Sequence, residues 1–209
     1  MDTLTTLTQY FLKANVEQEI RPPPNCPRYP LKEIVNTRKG RVPASLTSTF
    51  NTYVKPYVNI KAFERGIIEQ YVESDDGVPV NNENLVMVLD GARCGLVGRG
   101  IDGISGSTLK KISLKEKFSY IPMSYLQYFL QSNYRLLNRR SRGSVIQHVD
   151  PYLFGQLEIP IPDKGDQRFE RTTQLLRTID AIEAQTSQRL QIIHKLKHSF
   201  LYQAFAPEK

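Results

Sequence analysis

Four arginines fall within eight residues, Arg135, Arg139, Arg140 and Arg142, and run directly into Gly143-Ser144-Val145-Ile146-Gln147-His148. A cation near a helix C-terminus gains about 0.3–1 kcal/mol from the helix dipole. Capping alone therefore accounts for one or two arginines but not for four. Guanidinium groups pair with phosphates and guanine edges, and Ser, Gln and His side chains exchange hydrogen bonds with base edges or phosphates. A cationic, hydrogen-bonding loop of this kind is suited to DNA, and a merely solvated helix end is the alternative.

Patterns that would support catalysis fail on inspection. Gly98-Arg99-Gly100-Ile101-Asp102-Gly103 satisfies G-x-G-x-x-G, but Ile104-Ser105-Gly106-Ser107 follows instead of a helix. A pyrophosphate would find no helix N-terminus there, so tight turns between short strands explain the glycines better. His194 and His198 stand four residues apart, the spacing of a metal pair on a helix, with no nearby carboxylate or cysteine to complete a site. His148 has no nucleophile context, and Asp75-Asp76 beside Gly77 suits a turn. No catalytic site, metal or cofactor is expected.

Composition narrows the class. The 209 residues, 40% hydrophobic and 10% aromatic, can bury a core in one domain with room for an appendage. Cys26 and Cys94 match no metal spacing, so a reduced cytoplasmic setting is expected. There is no apolar run of membrane-spanning length, and no basic-then-apolar signal pattern opens the chain. The net charge of +7 is patterned: residues 28–65 carry eight basic and two acidic groups, 66–90 six acids and no base, and 91–117 six basic and two acidic. Alternating blocks can sort onto faces, one for a polyanion and one for another partner.

These residues need a scaffold. A short amphipathic helix with Leu4, Leu7, Phe11 and Ala14 on one stripe precedes a stiff Pro22-Pro23-Pro24 spacer. Strands are expected at Tyr29 to Asn36, Tyr53 to Ile60 and Leu85 to Leu89, the last apolar throughout and therefore inside a sheet. Shorter β pieces are expected at Leu96-Val97 and Ser107 to Ser113. Pro122 opens a helix running to about 140, with Met123, Leu126, Phe129, Leu130 and Leu137 buried. Asp150-Pro151 reads as the N-cap and first residue of another helix. After a strand-like Gln156 to Pro162 come about forty residues of helical pattern. In heptad register they place Leu175, Ile179, Ile182, Thr186, Arg189, Ile193, Leu196 and Phe200 on one seam. The seam suits a partner helix; packing on the chain's own domain is the other reading.

Several of these pieces, in this order, resemble the target recognition domain of type I restriction–modification specificity subunits. Leu85 to Gly98 looks like that domain's strand and glycine turn, Gly106-Ser107-Thr108-Leu109 its next strand, and Tyr125 to Leu130 its "YLYYFL" helix. Gly143 to Val149 resembles its G-S loop and Leu157 to Pro162 its exit. Gln167 and Ile179-Asp180 resemble the start of its spacer helix. Tyr29 to Val35, Arg38-Lys39-Gly40 and Pro56 to Ile60 suit its opening strands. The lead-in Asp163-Lys164-Gly165 departs from the usual P-x-x-E-Q form, and the chain has one recognition domain where a full subunit has two.

The resemblance implies an α/β (α+β) fold in three parts: an N-terminal amphipathic helix over 1–21, a recognition domain over 22–163, and a long spacer or dimerisation helix over 164–209. It implies a non-catalytic, cytoplasmic subunit that reads double-stranded DNA and docks methyltransferase subunits, with a restriction subunit as a further partner. Those methyltransferase subunits would hold S-adenosylmethionine. Arg93, Arg99, Lys110, Lys111, Arg139, Arg140, Arg142, Ser144, Gln147 and His148 are the expected DNA contacts, with the lysines on phosphates. Leu175, Ile179, Ile182, Ile193, Leu196 and Phe200 are expected to join two halves as a homodimer on a two-fold symmetric split site. Two other readings stand beside it: a module that docks on a methyltransferase without reading DNA, and an enzyme with an unrecognised site in the glycine-rich stretch.

Overall fold

The computed structural model describes residues 25–50, 54–73, 76–139, 147–167 and 169–178, with Ala181, Ile182, Gln185, Arg189, Ile193 and Leu196. The chain runs β1 (Arg28–Pro30), α1 (Leu31–Ile34), β2 (Val35–Lys39), β3 (Leu46–Thr47), β4 (Lys55–Val58) and α2 (Ile60–Arg65). It continues through β5 (Tyr71–Val72), β6 (Pro79–Val80), β7 (Leu85–Val88), β8 (Val97–Arg99), β9 (Gly103–Ser105) and β10 (Leu109–Leu114). A 3-10 turn (Glu116–Phe118) leads to α3 (Met123–Ser132), α4 (Tyr134–Arg139), α5 (Pro151–Gln156) and β11 (Glu158–Pro160). A last helix, α6, is described over 169–178.

The middle layer is a four-stranded sheet in the order β2-β10-β7-β8, with every neighbour antiparallel. Its central strand β7 is buried on both faces, which is why its sequence is apolar without alternation. Leu85 and Met87 face a core built with Leu31, Ile34, Ile112, Leu126, Leu130 and Leu137. Val86 and Val88 face the opposite way, into a smaller core with Leu109, Val58, Ala62 and Val80. Each of the larger side chains, Val, Leu, Ile or Met, contributes about 1.5–3 kcal/mol by leaving water. Beyond the smaller core lies a five-stranded sheet in the order β3-β5-β4-β9-β6, in which β4 and β9 run parallel. The pair β1–β11 closes the fold by bringing Arg28–Pro30 and Glu158–Pro160 together.

Local chemistry sets the helix boundaries. The Asn59 side chain accepts from the Ala62 amide at 2.9 Å and Gly66, at φ 68°, ends α2. Asp150 caps α5 by accepting from the Tyr152 and Leu153 amides, with Pro151 in the first turn as expected. Asp166 accepts from Phe169 N at 2.9 Å and so opens α6. The buried face of α6, Phe169, Thr172 and Leu176, packs on the domain, and Tyr125 stacks edge-on against Phe169 at 5.4 Å.

The structure departs from the sequence reading in several places: Ile60, expected to end a strand, opens α2 behind the Asn59 cap, and Met123 and Phe129, expected buried, are only partly so. The strand expected from Tyr29 to Asn36 is broken by the turn α1, because Leu31 and Ile34, three residues apart, both bury. The helix expected from 122 to 140 is two helices, divided at Asn133, whose Nδ2 donates to Phe129 O. The strand before α6 is confined to Glu158–Pro160, because Gln156 belongs to α5. The amphipathic stripe in 1–21 lies outside the described residues. Among the described residues no helix is long and apolar enough to cross a membrane.

Candidate nucleic-acid interface

One end of the four-stranded sheet gathers most of the chemistry. There β7 ends and the chain turns through residues 89–96 into β8, beside the last residue of β2 and the first of β10. The turn needs glycine twice, at Gly91 (φ 88°) and Gly95 (φ 86°). A Cβ on Gly95 would also lie 2.8 Å from the Leu137 side chain, so only glycine lets α4 approach this closely.

The turn is clamped from two sides. From α4, Asn138 Nδ2 donates to Ala92 O at 3.1 Å and Cys94 O at 2.9 Å. From the returning chain, Gly91 N donates to Gln147 O at 2.8 Å and Val149 N to Leu89 O at 3.0 Å. Asp90 and His148 form a bridge in the same ladder, and their side chains meet at 2.6 Å, Nδ1 to Oδ1. Both ends of the segment 140–146 are thus anchored on one rigid turn. That segment carries Arg140, Arg142 and Ser144, which lie outside the described residues, as does the Arg139 side chain.

The other expected contacts distribute around this end. Arg93 projects from the turn with 61% of its side chain exposed, its Nη1 2.7 Å from Glu64 Oε2 on α2. Gln147 and His148 are exposed beside it. Lys110 sits at the same end on the face of α5, opposite Lys39 in register, with its ammonium 5.7 Å from the centre of the Phe154 ring. Burial, and then the neighbouring Lys39, lower its pKa. Lys111 points to the other face, where its Nζ donates to Pro79 O at 2.8 Å, because successive strand residues alternate. Arg99, opposite Leu85, lies at the far end of the β7–β8 hairpin. Arg93, Gln147 and His148 are therefore brought together at the turn, Lys110 lies at the same end of the sheet but on its α5 face, and Lys111 and Arg99 lie elsewhere.

Three participants were not singled out from sequence. Lys39 joins Lys110 only through strand register, Asn138 reads as an ordinary helix residue, and Glu64 lies in a different layer. Tyr152, with its side chain exposed at the start of α5 just beyond His148, is a further aromatic on this side. Among the described residues no group of three His, Cys, Asp or Glu side chains could hold a metal ion. The donors and cations here suit hydrogen bonding to base edges and ion pairing with phosphates.

The described members of the expected seam, Leu175 on α6 and the helical residues Ile182, Ile193 and Leu196 beyond it, are exposed. Leu175 is 37% exposed, Ile182 57%, Ile193 59% and Leu196 52%, while Leu176 on the adjoining stripe is fully buried. Over 169–178 the helix packs on its own domain through Phe169, Thr172 and Leu176, as one of the two readings expected. Ile179 and Phe200, with Thr186, His194 and His198, lie outside the described residues.

Residues 27–192 match the family described as type I restriction modification DNA specificity domain. The chain is similar to the MjaVIII type I restriction enzyme specificity subunit of Methanocaldococcus jannaschii, at 23% identity over 205 residues, 97% of this chain and 47% of that protein. Its fold is similar to that of the type I restriction–modification S subunit from M. genitalium (TM-score 0.60, 16% identity, covering 90% of this chain and 48% of that one). It is also similar to the HsdS subunit from Thermoanaerobacter tengcongensis (TM-score 0.59, 13% identity, 90% and 47%). The chain spans about half the length of these relatives.

Proposed function

Because the chain belongs to the type I restriction modification DNA specificity domain family, we propose that it is a sequence-specific DNA recognition subunit of a restriction–modification complex. The observation that carries this is the anchoring of both ends of the arginine-bearing segment 140–146 on the turn that presents Arg93 and His148. A hydrogen-bonded frame holding the two ends of a cationic segment is what base readout requires: the frame sets register, and the segment's side chains select. Lys39 and Lys110, opposite each other in register at the same end of the sheet, would meet the phosphate backbone.

The chain does no chemistry of its own in this reading. Methyltransferase subunits supply the reaction and hold S-adenosylmethionine, a restriction subunit completes the complex, and all work in the cytoplasm where the DNA is. The exposed stripe of α6 supports pairing of two recognition units through their helices. Two copies of this chain would then read a bipartite, two-fold symmetric site.

The test is the salt dependence of DNA affinity. Each phosphate contact contributes about 0.9 to the slope of log affinity against log salt. Changing Arg139, Arg140 and Arg142 together to Ala is expected to weaken binding and flatten that slope by up to about 3. An unchanged affinity and slope would remove the loop from the interface.

A further inference from the structure

The ion pair between Arg93 and Glu64 is unlike an ordinary surface pair. Glu64 has only 12% of its side chain exposed, whereas Arg93 has 61%. Oε2 meets the Arg93 guanidinium at 2.7 Å, but Oε1 is buried and accepts no hydrogen bond from any described residue. A carboxylate stripped of water on one oxygen without a donor to replace it is costly, and its exposed partner offsets only part of that cost. A simple staple between α2 and the turn would not need it. What the arrangement does achieve is direction. The carboxylate takes one edge of the guanidinium while most of the side chain stays in solvent at the sheet end. A guanidinium held in that way loses less freedom when its planar fork meets a guanine edge.

We infer that Glu64 is a positioning residue that holds Arg93 in place for a base contact. The inference rests on the DNA-recognition reading above and adds a residue from a different layer of the fold. Two further consequences separate it from a structural role. Neutralising Glu64 releases a mobile cation, so binding to unrelated DNA rises. At the same time discrimination falls at the one base pair that Arg93 reads.

The experiment is selection from a randomised pool of DNA duplexes by the full chain, in parallel with Arg93→Ala, Glu64→Gln and Glu64→Asp, each with its melting temperature and its affinity for an unrelated duplex. The expected result is that Arg93→Ala relaxes one position of the selected sequence and that both Glu64 variants relax the same position. The loss of preference there is roughly 5- to 150-fold, the worth of one bidentate contact. Glu64→Gln should also bind the unrelated duplex more tightly. Glu64→Asp keeps the charge but withdraws the carboxylate, so it should not, and it also serves if the amide variant folds poorly. Full preference retained in the Glu64 variants, or a uniform loss at all positions together with a lowered melting temperature, would overturn the positioning role. So would an Arg93→Ala protein that relaxes no position. If the unaltered chain enriches no sequence, the DNA-recognition reading itself fails, an outcome distinct from the others.

Discussion

Tyr125 joins the recognition domain to its helix through a single phenol. Its hydroxyl donates to Pro160 O at 2.6 Å and its ring packs on Phe169 of α6. Burial pushes this phenol well above the ordinary tyrosine range. The folded state therefore keeps its proton at a pH where the unfolded chain, ionising near pH 10, has lost it. The Tyr125 contribution is intact below about pH 10 and declines as the pH rises beyond it. Urea denaturation in Tyr125→Phe should show a loss of about 0.5–1.5 kcal/mol at pH 8, the worth of one hydrogen bond. The alkaline decline should also be shallower than in the unaltered protein. Asn138 makes a parallel case at the interface. Asn138→Ala leaves Ala92 O and Cys94 O without this donor, a cost of about 1–3 kcal/mol by the same measurement, and should weaken DNA binding because the frame of the loop loosens. None of this residue-level geometry is visible in sequence: Asp90 and His148 are 58 positions apart and meet only because two segments pair.

At the level of elements, legibility follows how local the cause is. The strand β7 could be read directly, because burial on both faces leaves an unbroken apolar run, and the α5 start could be read because its cap and proline are adjacent. The α3–α4 break was hidden because Leu126, Leu130 and Leu137 keep helical spacing straight across it. What ends α3 is a side-chain bond from Asn133, which periodicity cannot register. The turn α1 was missed although Leu31, Ile34 and Val35 have the i, i+3, i+4 spacing of a helix, because four residues are too few to set a period. The two stripes of α6 make opposite predictions. Leu176→Ala should cost about 2–5 kcal/mol in denaturant unfolding, since the site is fully buried. Replacing Leu175, Ile193 and Leu196 with Ser should shift stability of the monomer by no more than about 0.5 kcal/mol per site; if two copies pair through these residues as proposed, the same change abolishes the dimer seen by light scattering.

For the whole molecule, the candidate interface was legible as a list of residue types but not as a place. The arginine-rich segment, the glycine turn and His148 were each identifiable, and the fold then placed Gln147 and His148 against the turn that carries Arg93, set Lys110 on the α5 face of the same end and sent Lys111 and Arg99 elsewhere. The most direct measurement is the sequence enriched from random duplexes by the full chain together with a DNA methyltransferase subunit. The expected result is a defined split motif, with its two halves related as an inverted repeat. A complex that retains the methyltransferase but enriches no sequence would contradict DNA recognition and leave the chain as a docking module.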